Sequence, residues 1–336
     1  MNKGEHFSEF ITESPEEIFE RMKKSRHAGE LSFRFPYELS MFRLLNKSNP
    51  LKQRYYFIEN DTDYGFFSVY ENRMNLFTYG KAEWFMNIQT IAFPCSLSCP
   101  GYVTNNPEWL FSYIKSVKGC KLILNADEKV KTKGMSFGET LPTCVLTLKE
   151  EYTGIEEYLS SLRSPYRRRI NLARKRTEGL EKRFVTDGSI DVHPLYLKTY
   201  EKSEYKLECL EKEFFDRADG VKIVFLKKEK PVGFVLLHEN GDELIFMFCG
   251  MDSPDADLYY VMLLSIVEYA ISNGFKRIDF GQTSEKTKLK FGAELQRKYF
   301  YAHHSNPFLN LFAMVGKHML EYKYEFPEYH VFKEHS

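Results

Sequence analysis

The sequence predicts an α+β protein that consists of two units. A chain of 336 residues is long for one hydrophobic core. Short apolar runs bounded by Gly, Pro and Asn predict strands, and longer runs with helical spacing lie between them. The same order of elements, several strands followed by a helix and a further strand, occurs in each half. We therefore expect one structural plan to be present twice.

The second half shows this order clearly. Strands are predicted at Val221–Leu226, Val232–His238, Glu243–Cys249, Arg277–Phe280 and Gln296–His303. Asn240-Gly241 is a hairpin turn signal between two of them. Apolar spacing predicts a helix from Ala256 to Asn273, which Asn273-Gly274 ends as a C-cap.

The first half shows the order more faintly. Strands are predicted at Arg54–Glu59, Gly65–Tyr70, Asn75–Tyr79, Asn87–Phe93, Lys121–Asn125 and Thr143–Leu148. Asn106 as N-cap and Pro107 as first helical residue predict a helix that ends at Gly119.

Composition excludes several classes of protein. The formal net charge is zero, so no global field attracts nucleic acid or a membrane. The six cysteines do not form a dense framework, and Cys95 and Cys99 lack the neighbours of a zinc site, so we expect no metal. The N-terminus has no apolar signal region, and no apolar run reaches the length of a membrane span. We expect a cytoplasmic protein with reduced thiols.

A basic segment lies between the two predicted units. Residues 163–183 contain nine Lys and Arg against Glu178 and Glu181. We expect Ser164 to cap a helix with Pro165 at its first position and with Ile170 and Ala173 on its buried side. Arginine binds phosphate or carboxylate through two parallel hydrogen bonds. The alternative is a solvated helix whose arginines pair with glutamates.

The stretch Phe275–Leu295 carries the strongest indication of a site. Its pattern predicts a strand, a turn at Gly281 and a helix opened by Thr283 and Ser284. Free N–H groups at a helix start attract anions. The residues expected near this point are Asp279, Gln282, Lys286, Lys288 and Lys290. The alternative is an ordinary strand–helix connection with a solvated lysine face, in which Asp279 caps the turn.

Two pieces of the chain resemble a known family. Asp279-Phe280-Gly281 followed by Lys288-Leu289-Lys290-Phe291-Gly292 resembles the C-terminal half of FemAB-like acyltransferases of the GNAT superfamily. Ser161–Arg176 looks like the arginine-rich helix that precedes the catalytic half in that group. The resemblance covers residues 146–305 and is weak over the first 140. It implies two tandem GNAT-like domains, each a mixed, mostly antiparallel sheet flanked by helices: a degenerate domain at 1–145 and a catalytic domain at 146–336.

The resemblance also implies a reaction. It is transfer of an acyl group from an acyl-CoA thioester, acetyl-CoA or longer, to a small-molecule or peptide amine without a metal. The implied catalytic residues are Lys288 and Asp279. The implied substrate-binding residues are Arg167, Arg168, Gln282 and Phe291.

The coenzyme is expected at the turn between the strand ending at Cys249 and the next helix. The implied contacts are Gly250, Met251, Asp252 and Leu258. This turn departs from the glycine-rich loop of many acetyltransferases. Asp252, Asp255 and Asp257 would repel a pyrophosphate, unless they cap the helix or face away.

Two alternatives remain open from the sequence. One is a FemAB-like transferase that takes an amino acid from aminoacyl-tRNA and acts on a peptidoglycan precursor. The Fem enzymes often carry a long helical arm, and the absence of a heptad-bearing hairpin here favours the thioester donor, so tRNA is the less favoured partner. The other is a non-catalytic module that keeps the GNAT fold. The sequence leaves the oligomeric state open.

Overall fold

The computed structural model describes residues 7–31, 34–75, 85–203, 206, 208–315 and 321–333. Internal contacts divide the chain into two compact units. Unit 1 is Met1–Leu141, Leu207–Leu210 and Arg297–Lys323, and unit 2 is Pro142–Lys206, Glu211–Gln296 and Tyr324–Ser336. The expected boundary at 145/146 lies near the change from one unit to the other in mid-chain, but unit 1 also contains the late segment 297–323.

The helices and strands are numbered here in chain order. The first are β1 (Ser8–Thr12), α1 (Pro15–Lys23), α2 (Leu39–Ser48), β2 (Gln53–Glu59), β3 (Tyr64–Asn75), β4 (Phe85–Ile91), β5 (Tyr102–Thr104), α3 (Pro107–Ser116), β6 (Cys120–Ala126) and β7 (Ser136–Thr147). These are followed by α4 (Ile155–Ser161), α5 (Ser164–Arg176), β8 (Glu181–Val185), α6 (His193–Lys202), α7 (Lys212–Arg217), β9 (Val221–Lys227), β10 (Lys230–Asn240), β11 (Glu243–Met251), α8 (Ala256–Ser272), β12 (Arg277–Asp279), α9 (Glu285–Leu289), β13 (Glu294–His304) and α10 (Pro307–Val315).

Unit 1 contains strands in the order β1-β2-β3-β4-β6-β13, with β5 paired to β3. The pairs from β1 to β4 are antiparallel. β4 and β6 are parallel, so the chain has to cross over between them, and α3 forms that crossover. β13 then pairs with β6 in the antiparallel direction. This pairing explains why the segment 297–323 belongs to unit 1.

Unit 2 repeats the plan with strands in the order β7-β12-β11-β10-β9-β8. The pairs from β8 to β11 are antiparallel. β11 and β12 are parallel with α8 as the crossover, and residues 145–147 of β7 pair antiparallel with β12. The predicted α+β fold with mixed, mostly antiparallel sheets flanked by helices is confirmed.

Helix α8 is the central helix of the unit 2 core. Asp255 caps its start, and its side chains are apolar on most of its circumference because it lies between the sheet and α5. The residues without exposed surface are Met262, Leu263, Ile266, Val267 and Ala270. Burial of one such side chain contributes about 1.5–3 kcal/mol. The N-terminus of α8 follows the end of β11 after the short turn 252–255.

Several local predictions differ from the structure. The N-cap of α5 is Arg163, and Ser164 is its first helical residue, because the chain turns into the helix one residue earlier than the Ser-Pro signal indicated. The buried side of α5, Ile170 and Ala173, is as predicted. Asn106 caps α3 as predicted, with its side chain accepting from the Trp109 amide. The predicted strand at 75–79 falls mainly outside the described residues.

Candidate active site

Strands β11 and β12 run side by side only briefly. Glu243, Leu244 and Ile245 pair with Arg277, Ile278 and Asp279. β11 continues to Met251, whereas β12 ends at Asp279. The chain after β12 stays with β7, because the Phe280 amide donates to the Cys144 carbonyl oxygen at 2.8 Å. The paired register of the two parallel strands therefore ends at Ile245 and Asp279. We call the region between 246–251 and 279–281 the strand opening.

Lys288 is buried at the strand opening, with 2% of its surface exposed. Its ammonium donates to the carbonyl oxygens of Gly281 at 3.2 Å and Gln282 at 2.7 Å. It also lies 5.9 Å from the centre of the Phe246 ring. Burial lowers the pKa of Lys288, and nearby thiols and carboxyls oppose that change. Contacts within the described residues engage two of its three N–H donors.

The turn that Lys288 holds has an unusual backbone. Gly281, Thr283 and Ser284 have φ values of +70°, 63° and 52°. Glycine adopts this region freely, but it is unfavourable for a β-branched threonine. Such strain persists where surrounding contacts fix the backbone, and the two hydrogen bonds from Lys288 have that effect.

The helix after this turn differs from the prediction. Ser284 is at the N-cap position of α9 but makes no side-chain capping bond, because its backbone is left-handed. The helix has only five residues, so its dipole is small. The structure therefore does not support the anion site that we expected at the start of α9.

Asp279 and Gln282 lie beside Lys288 in the same turn. Asp279 Oδ1 accepts hydrogen bonds from Thr143 Oγ1 and from the Gly281 amide, both at 2.7 Å. It therefore has the capping geometry of the alternative interpretation. Gln282 contributes its backbone carbonyl oxygen to Lys288, and its side chain is half-buried. The structure brings the three residues together, and their roles in catalysis and substrate binding stay predictions.

Other side chains at the strand opening did not stand out in the sequence as site residues. They are Cys144, Cys249, Tyr259 and Glu285. Glu285 is buried, and its Oε1 has no hydrogen-bond partner among the described residues. Burial raises the pKa of Cys144 to about 12 and that of Cys249 to about 11, so both thiols are neutral at physiological pH. The only sequence signal for Glu285 is its spacing of three residues from Lys288, which places both on one helix face.

Phe291 and Gly292 of the family-like pattern have structural roles. The Phe291 ring is fully buried with its centre 5.5 Å from that of Tyr260, and its carbonyl oxygen accepts from Tyr158 Oη at 2.7 Å. A Cβ at Gly292, where φ is +83°, would lie 2.3 Å from the Phe332 ring. The predicted contact of Phe291 with substrate therefore has no exposed side-chain surface to support it.

The backbone amides expected to bind a coenzyme are already engaged. Met251 N–H donates to Thr199 Oγ1, and Asp252 N–H donates to the Val232 carbonyl oxygen, both at 3.0 Å. Leu258 N–H donates to Asp255 Oδ1 at 3.1 Å. The backbone of Leu195 packs closely against Gly250, since a Cβ at Gly250 would lie 2.5 Å from the Leu195 carbonyl carbon. The coenzyme contacts of these residues stay predictions, and their present hydrogen bonds oppose a pyrophosphate at this turn.

The three aspartates of this turn have partners. Asp255 caps α8 by accepting from the amides of Asp257 and Leu258. Asp252 forms ion pairs with Lys198 and Lys230, the latter at 3.3 Å. Asp257 forms ion pairs with Arg169 at 2.7 Å and Arg176 at 3.2 Å. The negative charge expected to repel a pyrophosphate is largely compensated by these ion pairs, but Asp255 occupies the first amides of α8.

The arginines of α5 fall into two groups. Arg169 and Arg176 pair with Asp257, and Arg174 pairs with Glu156 at 3.1 Å. Arg167 is half-buried and Arg168 is exposed, and within the described part of the chain neither forms an ion pair with a carboxylate. The alternative of glutamate and aspartate partners is thus correct for part of the helix. Arg167 and Arg168 remain candidates for binding an anion.

Strand β13 carries further titratable side chains. Tyr299, Tyr301 and His303 are in β13 of unit 1, and burial lowers the pKa of His303 to about 4. Cys95, Cys99, Cys120, Cys144 and Cys249 are free thiols. No group of three or more His, Cys, Asp and Glu within the described ranges could hold a metal ion. No described helix is long and apolar enough to cross a membrane.

Comparison with known proteins agrees with this geometry. Residues 160–289 match the family described as acetyltransferase (GNAT) domain. No curated protein matches the chain by sequence.

Solved structures superpose on the chain at low sequence identity. A tandem GNAT protein from the clavulanic acid biosynthesis pathway, solved without AcCoA, superposes with a TM-score of 0.50 at 8% identity, over 90% of this chain and 99% of that one. The C-terminal domain of a putative lysylphosphatidylglycerol synthetase from Agrobacterium fabrum gives 0.47 at 11%, over 84% and 91%. FemX gives 0.46 at 11%, over 91% and 100%.

The matched segment contains the α5 arginines and Lys288. It also contains the turn between β11 and α8, where we expected the coenzyme. The tandem GNAT protein shares the fold over nearly the whole chain. Residues 160–289 therefore match the acetyltransferase (GNAT) domain family, and the chain has the fold of a tandem GNAT protein.

Proposed function

We propose that unit 2 is an N-acyltransferase that moves an acyl group from an acyl-CoA thioester to an amine. The observation that carries the proposal is the buried ammonium of Lys288 at the strand opening. A cation that keeps a donor available in a water-poor site stabilises the oxyanion that forms during acyl transfer. A solvated lysine face would not bury this ammonium.

The residues at the strand opening account for each part of the reaction. The amine nitrogen attacks the carbonyl carbon, and the carbonyl electron pair moves to oxygen, where Lys288 donates a hydrogen bond. The tetrahedral intermediate collapses, the C–S bond breaks and the thiolate leaves. The buried Oε1 of Glu285, which has no hydrogen-bond partner in the described part of the chain, accepts the proton of the amine.

The amine attacks the donor directly in this proposal. Cys144 and Cys249 lie close enough to Lys288 to influence its charge, but their pKa values of about 12 and about 11 leave almost no thiolate at neutral pH. The thiolate is the nucleophilic form of cysteine. An acyl-cysteine intermediate is therefore not part of the mechanism, and replacement of either cysteine by alanine should leave single-step kinetics.

The unpaired arginines suggest an anionic group in a substrate. Arg167 and Arg168 have no carboxylate partner among the described residues, whereas three other arginines of α5 do. A guanidinium binds carboxylate or phosphate in a bidentate way. We assign these two residues to an anionic group of the acceptor or of the donor. The cytoplasmic location predicted from the sequence would supply acyl-CoA.

A second candidate donor is an aminoacyl ester carried by tRNA, and one observation favours it. The Asp255 carboxylate occupies the α8 amides at which a coenzyme pyrophosphate is expected. An aminoacyl ester does not require that pyrophosphate site. The strand opening and Lys288 serve either donor, since both reactions pass through the same kind of oxyanion.

Calorimetry with acetyl-CoA and longer acyl-CoAs tests the donor. Asp255→Ala removes a negative charge and frees the Asp257 and Leu258 amides, so an acyl-CoA that binds at this turn should bind the variant more tightly than the wild type. Loss of the cap destabilises the helix by about 1 kcal/mol. Asn106→Ala, which removes the cap of α3 in unit 1, is the control for that general effect.

The outcomes distinguish the donors. Binding of acyl-CoA that Asp255→Ala strengthens and Asn106→Ala leaves unchanged supports the thioester and the turn. If acyl-CoA binds and neither substitution changes its affinity, the donor is a thioester whose pyrophosphate does not bind at this turn. No binding at any chain length, together with salt-dependent binding of a charged tRNA, would replace the thioester by the aminoacyl ester.

A further inference from the structure

Helix α10 of unit 1 exposes an unusual amount of apolar surface. Its exposed side chains are Phe308 (79%), Leu309 (46%), Leu311 (60%), Phe312 (72%) and Met314 (44%). A surface helix usually turns its apolar residues inward and its polar residues to water. Scattered single apolar residues need no explanation, but a contiguous group of five marks a contact surface.

The side of α10 that faces the protein carries Asn310, the single polar residue of the helix. Asn310 is half-buried, and its Nδ2 donates to the Gly134 carbonyl oxygen at 2.9 Å. Its Oδ1 accepts from the His304 amide at 3.0 Å. Asn310 and Ala313 are the half-buried positions in 307–314, and the remaining arc of the helix carries the large apolar side chains. The helix therefore exposes its large apolar side chains, which is the opposite of the usual arrangement in a surface helix.

Basic loops flank this helix. The Gly119 amide donates to Ser305 Oγ at 2.9 Å, and the Ser305 amide donates to the Gly119 carbonyl oxygen at 3.0 Å. Asn310 contacts Gly134, as described above. The residues directly before these two glycines are Lys118 and Lys133, and both are exposed, as is Lys131. Exposed lysines thus lie next to both glycines, one of which contacts Ser305 just before α10 and the other Asn310 within it.

We propose that α10 and these lysines dock on the surface of an anionic lipid bilayer. The apolar side chains of a short interfacial helix enter the boundary between headgroups and acyl chains, and adjacent lysines interact with anionic headgroups. A second protein or a second copy of this chain would cover an apolar stripe, but it would not require lysines at both sides. The proposal is independent of the reaction in unit 2, and it adds a local attraction that the zero net charge of the chain does not provide.

Vesicle flotation with the full chain tests the proposal. We expect binding to mixed phosphatidylcholine–phosphatidylglycerol vesicles, and much weaker binding to phosphatidylcholine alone or at high salt. Phe308→Asp with Phe312→Asp should lower the binding at least a hundredfold, as expected from about 1.5–3 kcal/mol for each buried apolar side chain. Lys131→Gln with Lys133→Gln should lower it about thirtyfold, since each lysine near an anionic surface contributes about 1 kcal/mol.

Phe184→Asp is the matched control. Phe184 is also exposed, at 56%, but lies on β8 of unit 2. We expect this variant to float like the wild type. Because Phe308 and Phe312 are mostly exposed, the double variant should keep the melting temperature of the wild type, so loss of binding would not reflect unfolding.

Three results would overturn the proposal. The first is no flotation of the wild type with anionic vesicles. The second is equal flotation of the Phe308→Asp, Phe312→Asp variant. The third is a wild type that forms dimers by light scattering, with the double variant monomeric and no vesicle binding, which would assign α10 to a second copy of the chain.

Discussion

The ammonium nitrogen of Lys288 lies 2.7 Å from the carbonyl oxygen of Gln282, so the residue that we place in the reaction also holds the turn beside it. Thr283 and Ser284 follow in left-handed backbone conformations that are unfavourable by themselves. Removal of Lys288 thus has two separable consequences. It removes a donor for the oxyanion, and it releases a strained turn.

Lys288→Met should lower kcat by about a hundredfold to a thousandfold, as loss of one oxyanion donor does in other acyl-transfer enzymes. Lys286→Met is the control on the same helix, because Lys286 is exposed and its ammonium lies 4.9 Å from the centre of the Tyr324 ring. Steady-state kinetics with the donor identified by calorimetry measure both. A purely structural lysine would change the melting temperature and leave kcat of the folded enzyme unchanged.

The activity should fall at alkaline pH earlier than an ordinary lysine would allow. Burial lowers the pKa of Lys288 from its ordinary value of 10.5, and deprotonation removes the cation that stabilises the oxyanion. We therefore expect kcat to decrease as pH rises through that lowered pKa. A profile of kcat that stays flat up to pH 10.5 would contradict this role.

The stability linked to Lys288 should change in the opposite direction. Between its lowered pKa and 10.5 the unfolded chain binds more protons than the folded one, so the folded state gains stability as pH rises through this window. Lys288→Met should remove this component. Thermal melting at several pH values therefore distinguishes loss of activity from loss of structure.

The helices and strands could be predicted where the residues of the element itself specify it. The apolar spacing of 256–273 and the Asn106-Pro107 cap gave α8 and α3 nearly at their observed bounds. The pairing of β13 with β6 was not predictable, because it joins residues far apart in sequence and no local pattern specifies it. For the same reason the sequence did not show that residues 297–323 belong to unit 1.

The candidate site was predictable to a similar degree. The family-like pattern identified Lys288, but not its burial, since a lysine among lysines gives no local signal of an interior position. Cys144 reaches the strand opening only through the pairing of β7 with the chain after β12. The capping of α8 by Asp255 was one of the possibilities that the sequence left open, and only the geometry shows which amides it blocks.

Neutralisation of Arg167 and Arg168 should raise the KM of the anionic substrate and weaken its dependence on salt. The two side chains have no carboxylate partner in the described part of the chain, so a bound anion would be their counterion, and salt screens such an interaction. Arg174→Gln is the control on the same helix, because Arg174 already pairs with Glu156. Equal effects of the three changes would indicate only a general loss of positive charge.

Glu208→Gln should stabilise the protein at alkaline pH. Glu208 of unit 1 is buried, its Oε1 accepts from Ser96 Oγ at 2.6 Å, and its Oε2 has no hydrogen-bond partner among the described residues. Burial raises the pKa of Glu208 from 4.5 to about 7. The folded chain thus binds one more proton than the unfolded chain between these values, and the stability present below 4.5 is lost as pH rises to about 7.

The amide of glutamine is uncharged at every pH, so the variant should not show this loss. The midpoint of thermal unfolding should be similar for wild type and variant near about pH 5. Near about pH 8 it should be higher for the variant, because the free energy of unfolding of the variant should exceed that of the wild type by up to about 3 kcal/mol. Glu150→Gln, at an exposed position of unit 2, is the control and should leave both midpoints unchanged. A variant that is less stable than the wild type at about pH 8 would contradict this prediction. It would show that a cation compensates the ionised carboxylate of Glu208 in the folded protein.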